Sequence, residues 1–423
     1  MNNKQKNNYY YNSITSNYDS DLYDSLLYLS NDTLYNYGDH QNANVNTLKK
    51  FVKKKIKSFF EVFFIIKLLL ISKRHKKKII LSNAYVNLQI KDCITLLPPW
   101  SVSLSQSNLS SFQLSVLIKR INTVLRKREL KDFFSSKFQK LIFDYQVELA
   151  RLFKSHKVRC LIVPNDLSFY ENISIKIARE NRIPTFVYLH GLPARCNGID
   201  DNRADYLIVW GNGIKDLYKK SGVPAEKILC LKHPIYSDFI ESTLRSDFSN
   251  VLVLSKALPG TPSSSNELIL SDRTTSLYYL ELVKENLKKF GVKSAKLRLH
   301  PAESTLFYQK NLIDNFYSIE LINKSQALSK ASLVVGPSST MILDSLIAGV
   351  NYILYDPIIK DEIIAGAELV SPFDGSSFIK LTKTFEDFQR HVTLPKTNID
   401  FHLLKDYFEV NNDDFQKFLK LIA

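Results

Sequence analysis

Residues 336–345 have the sequence GPSSTMILDS, in which glycine and proline precede three hydroxyl side chains and an apolar run. The apolar residues of 332–335 come directly before it. This pattern predicts a buried strand, a tight turn at Gly336 and a helix from Met341 to Val350. The first N–H groups of a helix lack partners within it, and its dipole favours an anion there. The stretch therefore predicts a phosphate-binding turn, with ordinary helix capping by Ser and Thr as the alternative.

Strands and helices alternate on both sides of this stretch. Short apolar runs alternate with amphipathic segments from Ile79 to Leu231, and a second series of the same kind extends from Asn250 to Tyr355. Buried strands that alternate with helices indicate parallel sheets covered on both faces. The predicted fold class is α/β, with two doubly wound, Rossmann-like domains that face a cleft. A final amphipathic helix is predicted over 401–421.

Residues with useful chemistry lie where the predicted strands end. They are Asn165-Asp166, His190-Gly191, Ser255-Lys256, His300-Pro301 and the turn Gly336–Thr340. In open α/β sheets, ligands bind beyond the carboxyl ends of the strands. We therefore expect these five places to line a cleft between the two domains.

The pair His300-Pro301 ends a strand that carries the basic residues Lys293, Lys296 and Arg298. Proline terminates the strand, and an imidazole at this place can donate a hydrogen bond to a phosphate or protonate a leaving group. A histidine packed against a neighbouring loop is the structural alternative. The Ser/Thr turn about 36 residues further along the chain favours the phosphate interpretation.

A strand-His-Pro element followed by a Ser/Thr-rich turn resembles the donor half of bacterial GT-B glycosyltransferases. The resemblance covers about residues 155–360 and is greatest to the sialyl-, polysialyl- and Kdo-transferases of capsule and lipopolysaccharide synthesis, which use CMP-sugars. It implies a nucleotide-sugar donor and a glycan or glycolipid acceptor, with His300 stabilising the departing phosphate. The donor-binding residues that it implies are Ser255, Lys256, Arg298, Pro301, Gly336, Ser338, Ser339 and Thr340.

His190-Gly191 departs from those transferases, which have an acidic-acidic-Gly element at the matching place. A His-Gly pair at a strand end is similar to the CDP-glycerol polymerases of teichoic-acid synthesis, in which histidine is the proposed base. We therefore expect His190, beside Gly191 on the acceptor side, to remove the acceptor's hydroxyl proton. Asp166 and Asp200-Asp201 are reserve bases. Transfer of a polyol phosphate from a CDP-polyol and sugar-nucleotide epimerisation stay open as alternative activities.

Neither a metal nor a cofactor is expected from the sequence. The only Asp-x-Asp spacing, Asp19-Ser20-Asp21, lies in the N-terminal tail and not at a donor position. The four cysteines form no C-x-x-C pair and indicate small buried side chains in a reducing compartment.

The basic charge is concentrated in one segment. Lys and Arg number 57 against 42 acidic residues, for a net charge of +15, and residues 49–78 hold twelve of those cations and the single acid Glu61. Its apolar centre, Phe59 to Ile71, is shorter than the roughly 20 apolar residues that span a bilayer. Flanking lysines are typical of a helix lying in an anionic membrane interface. A core-packing helix with solvated lysines is the alternative.

These patterns divide the chain into five parts. They are an Asn/Tyr-rich tail expected to be disordered (1–48), the basic segment (49–78), an acceptor-side domain (79–240), a nucleotide-sugar-binding domain (241–400) and a C-terminal helix (401–423). The tail lacks the apolar core of a secretion signal, so we expect a cytoplasmic protein, peripheral at the inner face of the membrane. Nucleic acid is not an expected partner, because the charge is local. A membrane-associated scaffold is the non-enzyme alternative.

Overall fold

The fold is known from a computed structural model of the protein. It describes residues 77–82, 92–100, 111–127, 130–133, 135–166, 168–193, 203–236, 243–255, 273–300, 303, 305–312, 314–359, 362–363, 369–376, 379–393, 401–410 and 412–423. The predictions for the N-terminal tail, for the basic segment up to residue 76, and for Asp200-Asp201, Lys256 and Pro301 lie outside these residues. None of the helices within the described ranges is both long and apolar enough to cross a membrane.

The first domain is a six-stranded parallel sheet covered by helices. Its strands are β1 (Lys78–Leu81), β2 (Cys93–Leu96), β3 (Val158–Val163), β4 (Thr185–Tyr188), β5 (Tyr206–Val209) and β6 (Ile228–Cys230), in the order β2-β1-β3-β4-β5-β6. Its helices are α1 (Phe112–Lys127), α2 (Leu130–Phe133), α3 (Ser136–Ser155), α4 (Phe169–Glu180) and α5 (Asn212–Lys220). The central strands β3, β4 and β5 are mostly apolar and buried, as expected of a parallel sheet with helices on both faces.

The second domain repeats this architecture. Its main strands are β7 (Val251–Leu254), β8 (Ala295–Arg298), β9 (Tyr317–Ile319), β10 (Leu333–Gly336), β11 (Tyr352–Tyr355) and β14 (Leu381–Thr382), in the parallel order β14-β11-β10-β7-β8-β9. β12 (Ile358–Ile359) and β13 (Glu362–Ile363) form a separate antiparallel pair. The helices are α6 (Arg273–Lys289), α7 (Thr305–Asn311), α8 (Lys324–Lys330), α9 (Met341–Ile347) and α10 (Phe385–Thr393).

The strand order of the second domain identifies where a ligand would bind. Counted within the domain, the order is 6-5-4-1-2-3, the arrangement of dinucleotide-binding sheets. The order reverses between β7 and β10, so the crevice opens beyond the ends of those two strands. The prediction of two Rossmann-like domains in a GT-B arrangement is confirmed by this pair of sheets.

The prediction of one C-terminal helix over 401–421 is wrong. The chain forms two helices, α11 (Phe401–Tyr407) and α12 (Asn412–Ile422). Between them the backbone passes against the start of α5, where the Asn212 amide donates to the Glu409 carbonyl at 2.8 Å. A Cβ on Gly211 would lie 2.5 Å from the Phe408 Cα. Helix α11 ends at Tyr407, just before this close approach.

Helix α12 packs against the first domain, although it follows the second domain in sequence. The Asp414 carboxylate accepts hydrogen bonds from the Cys230 amide at 2.8 Å and from the Lys215 ammonium at 3.1 Å. The Phe418 ring meets the Phe186 ring edge-on, with centroids 5.0 Å apart. The C-terminus therefore ties the second domain back to the first.

The predicted helix from Met341 to Val350 also ends early, at Ile347. Gly349 has φ +66°, which only glycine adopts at low cost, and it terminates the helix. The guanidinium of Arg245 donates to the carbonyls of Ala348 and Ser329 at 3.0 and 2.7 Å. One side chain thus caps the ends of both α8 and α9.

His233 is the buried centre of the segment that joins the two domains. Its Nδ1 accepts hydrogen bonds from the amides of Ile235 and Tyr236, both at 3.1 Å. Its ring stacks on Tyr236 and packs against Trp210, with centroids 4.3 and 4.5 Å away. Burial, and secondarily the charge of Lys324, lowers the pKa of His233 to about 4.

The linker histidine predicts a pH-dependent stability. Between about pH 6.5 and pH 4 the unfolded chain binds a proton at His233 that the native state excludes. The free energy of unfolding should therefore fall by about 2–3 kcal/mol as the pH is lowered through this window. In the variant His233→Asn the amide oxygen still accepts the two backbone hydrogen bonds and does not titrate. Urea unfolding at several pH values should show a smaller loss for this variant, and an equal loss would contradict the assignment.

Candidate active site

His190 follows β4 at the carboxyl edge of the first sheet, with its side chain exposed. Its Nδ1 lies 2.8 Å from the carbonyl oxygen of Pro164, which follows the neighbouring strand β3. A carbonyl oxygen can only accept, so Nδ1 carries the proton in the neutral ring and Nε2 keeps its lone pair. The backbone of the adjacent strand thus holds the imidazole in the tautomer that a general base requires.

Asp166, the reserve base, lies in a different environment. Its side chain is fully buried, and its carboxylate accepts a hydrogen bond from the Arg203 amide at 2.6 Å. The Arg203 guanidinium is 3.6 Å from the other carboxylate oxygen. This pairing stabilises the loop that follows β3, which includes Pro164. The geometry therefore favours His190 over Asp166 as the group that meets an acceptor hydroxyl.

The turn after β8 is held by a carboxylate that the sequence analysis did not single out. The Glu303 carboxylate accepts hydrogen bonds from the His300 amide at 2.9 Å, from the Tyr308 hydroxyl at 2.6 Å and from the Ser255 hydroxyl. The His300 carbonyl in turn accepts from the Glu303 amide at 2.9 Å. The His300 side chain is exposed at the strand end. In the sequence, Glu303 follows His300 by three residues, with a proline between them. This spacing could have indicated the contact.

Ser255 and Arg298 have structural partners at this edge of the second sheet. The Ser255 amide donates to the Arg298 carbonyl at 3.0 Å, which extends the pairing of β7 with β8. The Arg298 guanidinium donates to the Ile322 carbonyl at 2.8 Å. Ser255 is therefore placed beside the reversal point of the strand order, whereas the Arg298 side chain binds the segment that leads into α8.

The Gly336–Thr340 turn follows β10 on the other side of the reversal point. The Tyr352 hydroxyl donates to the Pro337 carbonyl at 2.6 Å. A Cβ on Gly336 would lie 2.5 Å from that hydroxyl oxygen, so only glycine fits. Ser338 is buried, and Ser339 and Thr340 are half-buried. Three hydroxyl side chains therefore follow the end of β10, which is the neighbour of the strand that ends before Ser255.

The expectation of open amides at the start of α9 is wrong. The Met341 amide donates to the Ser339 hydroxyl at 3.3 Å. The amides of Ile342 and Leu343 donate to the carbonyls of Ser339 and Thr340 at 3.1 and 3.0 Å. These amides are therefore capped by groups of the protein, which is the alternative given by the sequence. Helix α9 has only seven residues. Any anion at this turn must be bound by the hydroxyls and by the backbone before Met341.

The carboxyl edges of the two sheets meet at Thr340. Its Oγ1 accepts a hydrogen bond from the Leu192 amide at 2.8 Å, and a Cβ on Gly191 would lie 2.9 Å from the same oxygen. One turn along α9, the Asp344 carboxylate accepts from the Tyr236 hydroxyl at 3.1 Å and pairs with Lys324 at 2.8 Å. The loop that contains His190 is thus hydrogen-bonded to the turn predicted to bind phosphate.

Comparison with known proteins gives similarity at the level of overall structure. No protein-family model matches the chain, and no curated protein matches it. Among solved structures, it is similar to the UDP-N-acetylglucosamine 2-epimerase of Rickettsia bellii, with 13% identity, 68% of this chain and 78% of that chain covered, and a TM-score of 0.42. It is also similar to the S. aureus MnaA–UDP structure, with 11% identity, 82% of this chain and 97% of that chain covered, and a TM-score of 0.43.

A third similar structure is MurG of Acinetobacter baumannii, with 14% identity, 67% of this chain and 78% of that chain covered, and a TM-score of 0.37. Identities and scores of this size transfer no function. The function of this chain must therefore be inferred from its own residues.

The contact between the two edges predicts a specific effect of substitutions at Thr340. Thr340→Val keeps the shape but removes the oxygen that accepts from the Leu192 amide, so the free energy of unfolding should fall by about 1 kcal/mol. Thr340→Ser keeps the hydroxyl and should retain most of the stability. Denaturant unfolding of the three proteins measures the difference, and an equal loss in the Val and Ser variants would exclude the hydrogen bond as its source.

Proposed function

We propose that the protein is a glycosyltransferase that moves a sugar from a nucleotide-sugar to a glycan or glycolipid acceptor. One observation carries the proposal. A histidine in the tautomer of a general base lies on one sheet edge, and the hydroxyl-lined reversal point of a dinucleotide-type sheet lies on the other. The hydrogen bond from Leu192 to Thr340 joins these two edges. Such a cleft places a donor and an acceptor on opposite walls.

The donor is assigned to the second domain. Its nucleotide occupies the crevice beyond β7 and β10, where parallel sheets of this strand order bind nucleotides. Ser338, Ser339 and Thr340 supply hydroxyl donors to a phosphate, and Ser255 faces them from the end of β7. Lys256 and Pro301 lie outside the described residues, so their part in the site remains a prediction from the sequence. The Thr340 hydroxyl oxygen already accepts a hydrogen bond from the Leu192 amide. Its proton can therefore be donated to a phosphate.

The transfer step follows from this placement. His190 Nε2 takes the proton of the acceptor hydroxyl, and the acceptor oxygen forms a bond to the anomeric carbon of the sugar. The bond from that carbon to the phosphate oxygen breaks, and the nucleotide leaves with the electron pair. His300 and the hydroxyls of the Gly336–Thr340 turn stabilise the negative charge on the departing phosphate. Glu303 positions His300 by accepting a hydrogen bond from the His300 backbone amide.

An acidic sugar carried by CMP is the proposed donor, on the basis of the sequence resemblance. Transfer of a polyol phosphate from a CDP-polyol is the second candidate, because His190-Gly191 stands in place of the acidic pair of the CMP-sugar transferases. The two reactions differ in the bond that breaks. Phosphorus stays with the released CMP when a sugar is transferred, and phosphorus appears in the product when a polyol phosphate is transferred.

Nucleotide binding tests the proposal directly. Thermal unfolding in the presence of CMP, CDP, UDP and GDP should show a higher midpoint with the cytidine nucleotides, because a ligand of the native state stabilises it. At a concentration one hundred times the Kd the expected stabilisation is about 2.7 kcal/mol. A shift with UDP alone would replace the CMP assignment, and no shift with any nucleotide would contradict a transferase.

The two histidines should be separable by kinetics. His190→Gln should lower turnover by about 10²–10⁴-fold and leave the nucleotide-induced thermal shift intact, because its role is proton transfer from the acceptor. His300→Ala should abolish transfer in a folded protein. His402→Ala is the matched control, because its side chain is 83% exposed on α11 and no step of the proposed transfer uses it. Wild-type turnover in either cleft variant would remove that histidine from the mechanism.

A further inference from the structure

Trp100 lies at the carboxyl edge of the first sheet, the edge that also holds His190. It follows the end of β2 by four residues, and the strands of this sheet are parallel, so the segments after β2 and β4 leave the sheet at the same edge. Pro98 and Pro99, both buried, precede Trp100 and restrict the backbone there. No step of the proposed transfer uses this part of the edge.

Solvent can meet only the carbon atoms of the Trp100 side chain. The residue is half-buried and packs against the core of the first domain. Its indole nitrogen, the one polar atom of the ring, is buried. The negative face of an aromatic ring attracts the C–H groups of a sugar ring. Trp100 therefore offers the acceptor side of the cleft an apolar surface suited to a sugar.

Glu171, in the first turn of α4, provides a carboxyl beside this ring. Helix α4 begins at the same edge, because it follows β3. Burial raises the pKa of the half-buried Glu171, whereas its own backbone amide and the indole N–H of Trp100 lower it. The indole nitrogen lies outside normal hydrogen-bond geometry, so the two groups are near each other without a closed contact. No cation is among the described groups that shift this pKa. A basic side chain therefore does not neutralise this carboxyl.

The sequence around Glu171 indicates a helix cap that the structure does not form. Residues 168–171 have the Ser-x-x-Glu pattern of a capping box, in which the glutamate accepts from the N-cap amide. The Ser168 amide donates instead to the side-chain oxygen of Asn165 at 2.8 Å, and the Ser168 hydroxyl makes no capping bond. The Glu171 carboxyl thus keeps acceptor capacity for another donor.

We infer that Trp100 and Glu171 form an acceptor subsite, which binds a sugar unit distant from the hydroxyl that reacts. This inference rests on the proposed transferase function and names the class of its acceptor. The indole packs against the C–H face of the sugar, and the carboxylate accepts hydrogen bonds from the sugar's hydroxyls.

The position of the subsite in the sheet indicates the length of the acceptor. β2 and β4 are three places apart in the strand order. Neighbouring strands lie about 4.8 Å apart, so the segments that follow β2 and β4 are separated by about 14 Å along the edge. This separation exceeds the length of a single sugar ring. The acceptor is therefore a chain of sugars, with its reactive end at His190 and a more distant unit at Trp100.

Binding to an array of monosaccharides and oligosaccharides, without a donor nucleotide, tests the inference. The wild-type protein should bind oligosaccharides. Trp100→Ala should weaken this binding at least about tenfold, because it removes the ring contact. Trp100→Phe keeps an aromatic face and should retain most of the binding. Equal binding by wild type and Trp100→Ala, or no oligosaccharide binding by wild type, would overturn the inference.

Phe143→Ala is the matched control for the loss of an aromatic ring. Phe143 belongs to the same domain and is 62% exposed on α3. The control should bind the array as wild type does. Glu171→Ala should weaken the binding of the same oligosaccharides as Trp100→Ala, because the two side chains hold one sugar unit. Loss of binding in the Phe143 control to the extent seen in Trp100→Ala would contradict a specific subsite.

Fluorescence of the wild-type protein gives a test that needs no variant to fold. The chain has two tryptophans, and Trp210 is buried, so acrylamide should quench mainly Trp100. An oligosaccharide selected on the array should reduce this quenching when it covers the ring. Unchanged quenching at saturation would place the bound glycan elsewhere and overturn the inference.

Thermal unfolding with nucleotides separates this inference from the transferase proposal. If cytidine nucleotides stabilise the protein but Trp100→Ala binds glycans as wild type does, the transferase proposal stands and the subsite is wrong. If glycan binding depends on Trp100 but no nucleotide stabilises the protein, the glycan site stands and the transferase proposal is wrong.

Discussion

The parallel arrangement of both sheets is the constraint on which the architecture depends. Every strand in a parallel sheet ends at the same edge, so loops far apart in sequence are gathered along one line. The two such edges of this protein face each other and are joined where the Leu192 amide meets the Thr340 hydroxyl, across 148 positions of sequence. The close contact leaves no room for a side chain at Gly191. One hydrogen bond thereby couples the loop that contains His190 to the Gly336–Thr340 turn.

The return of the chain to the first domain supports this contact. Asp414 on α12 binds Cys230 and Lys215, and Tyr236 in the linker reaches Asp344 on α9. The domains are therefore connected by the buried linker side chains His233 and Tyr236 and by the C-terminal helices, in addition to the cleft contact.

Much of the fold could be predicted because burial leaves a periodic pattern in the sequence. Apolar runs in the sequence mark the central strands, as at Thr185–Tyr188 and Tyr352–Tyr355. The edge strand Cys93–Leu96 was missed because it is only half-buried, so its composition carries little signal. The prediction of a continuous C-terminal helix was wrong for a different reason. Its interruption depends on the approach of Gly211 to Phe408, which no local pattern encodes.

The sequence by itself determined the α/β class, the number of doubly wound units and the presence of His190 and His300 at strand ends. These features follow from local hydrophobic periodicity and from the chemistry of single residues. Only the tertiary structure decided that the α9 amides are capped, that Glu303 holds the His300 turn, and that Asp166 is buried against Arg203. Each depends on distances between segments that are brought together by packing, and the sequence carries no local record of those distances.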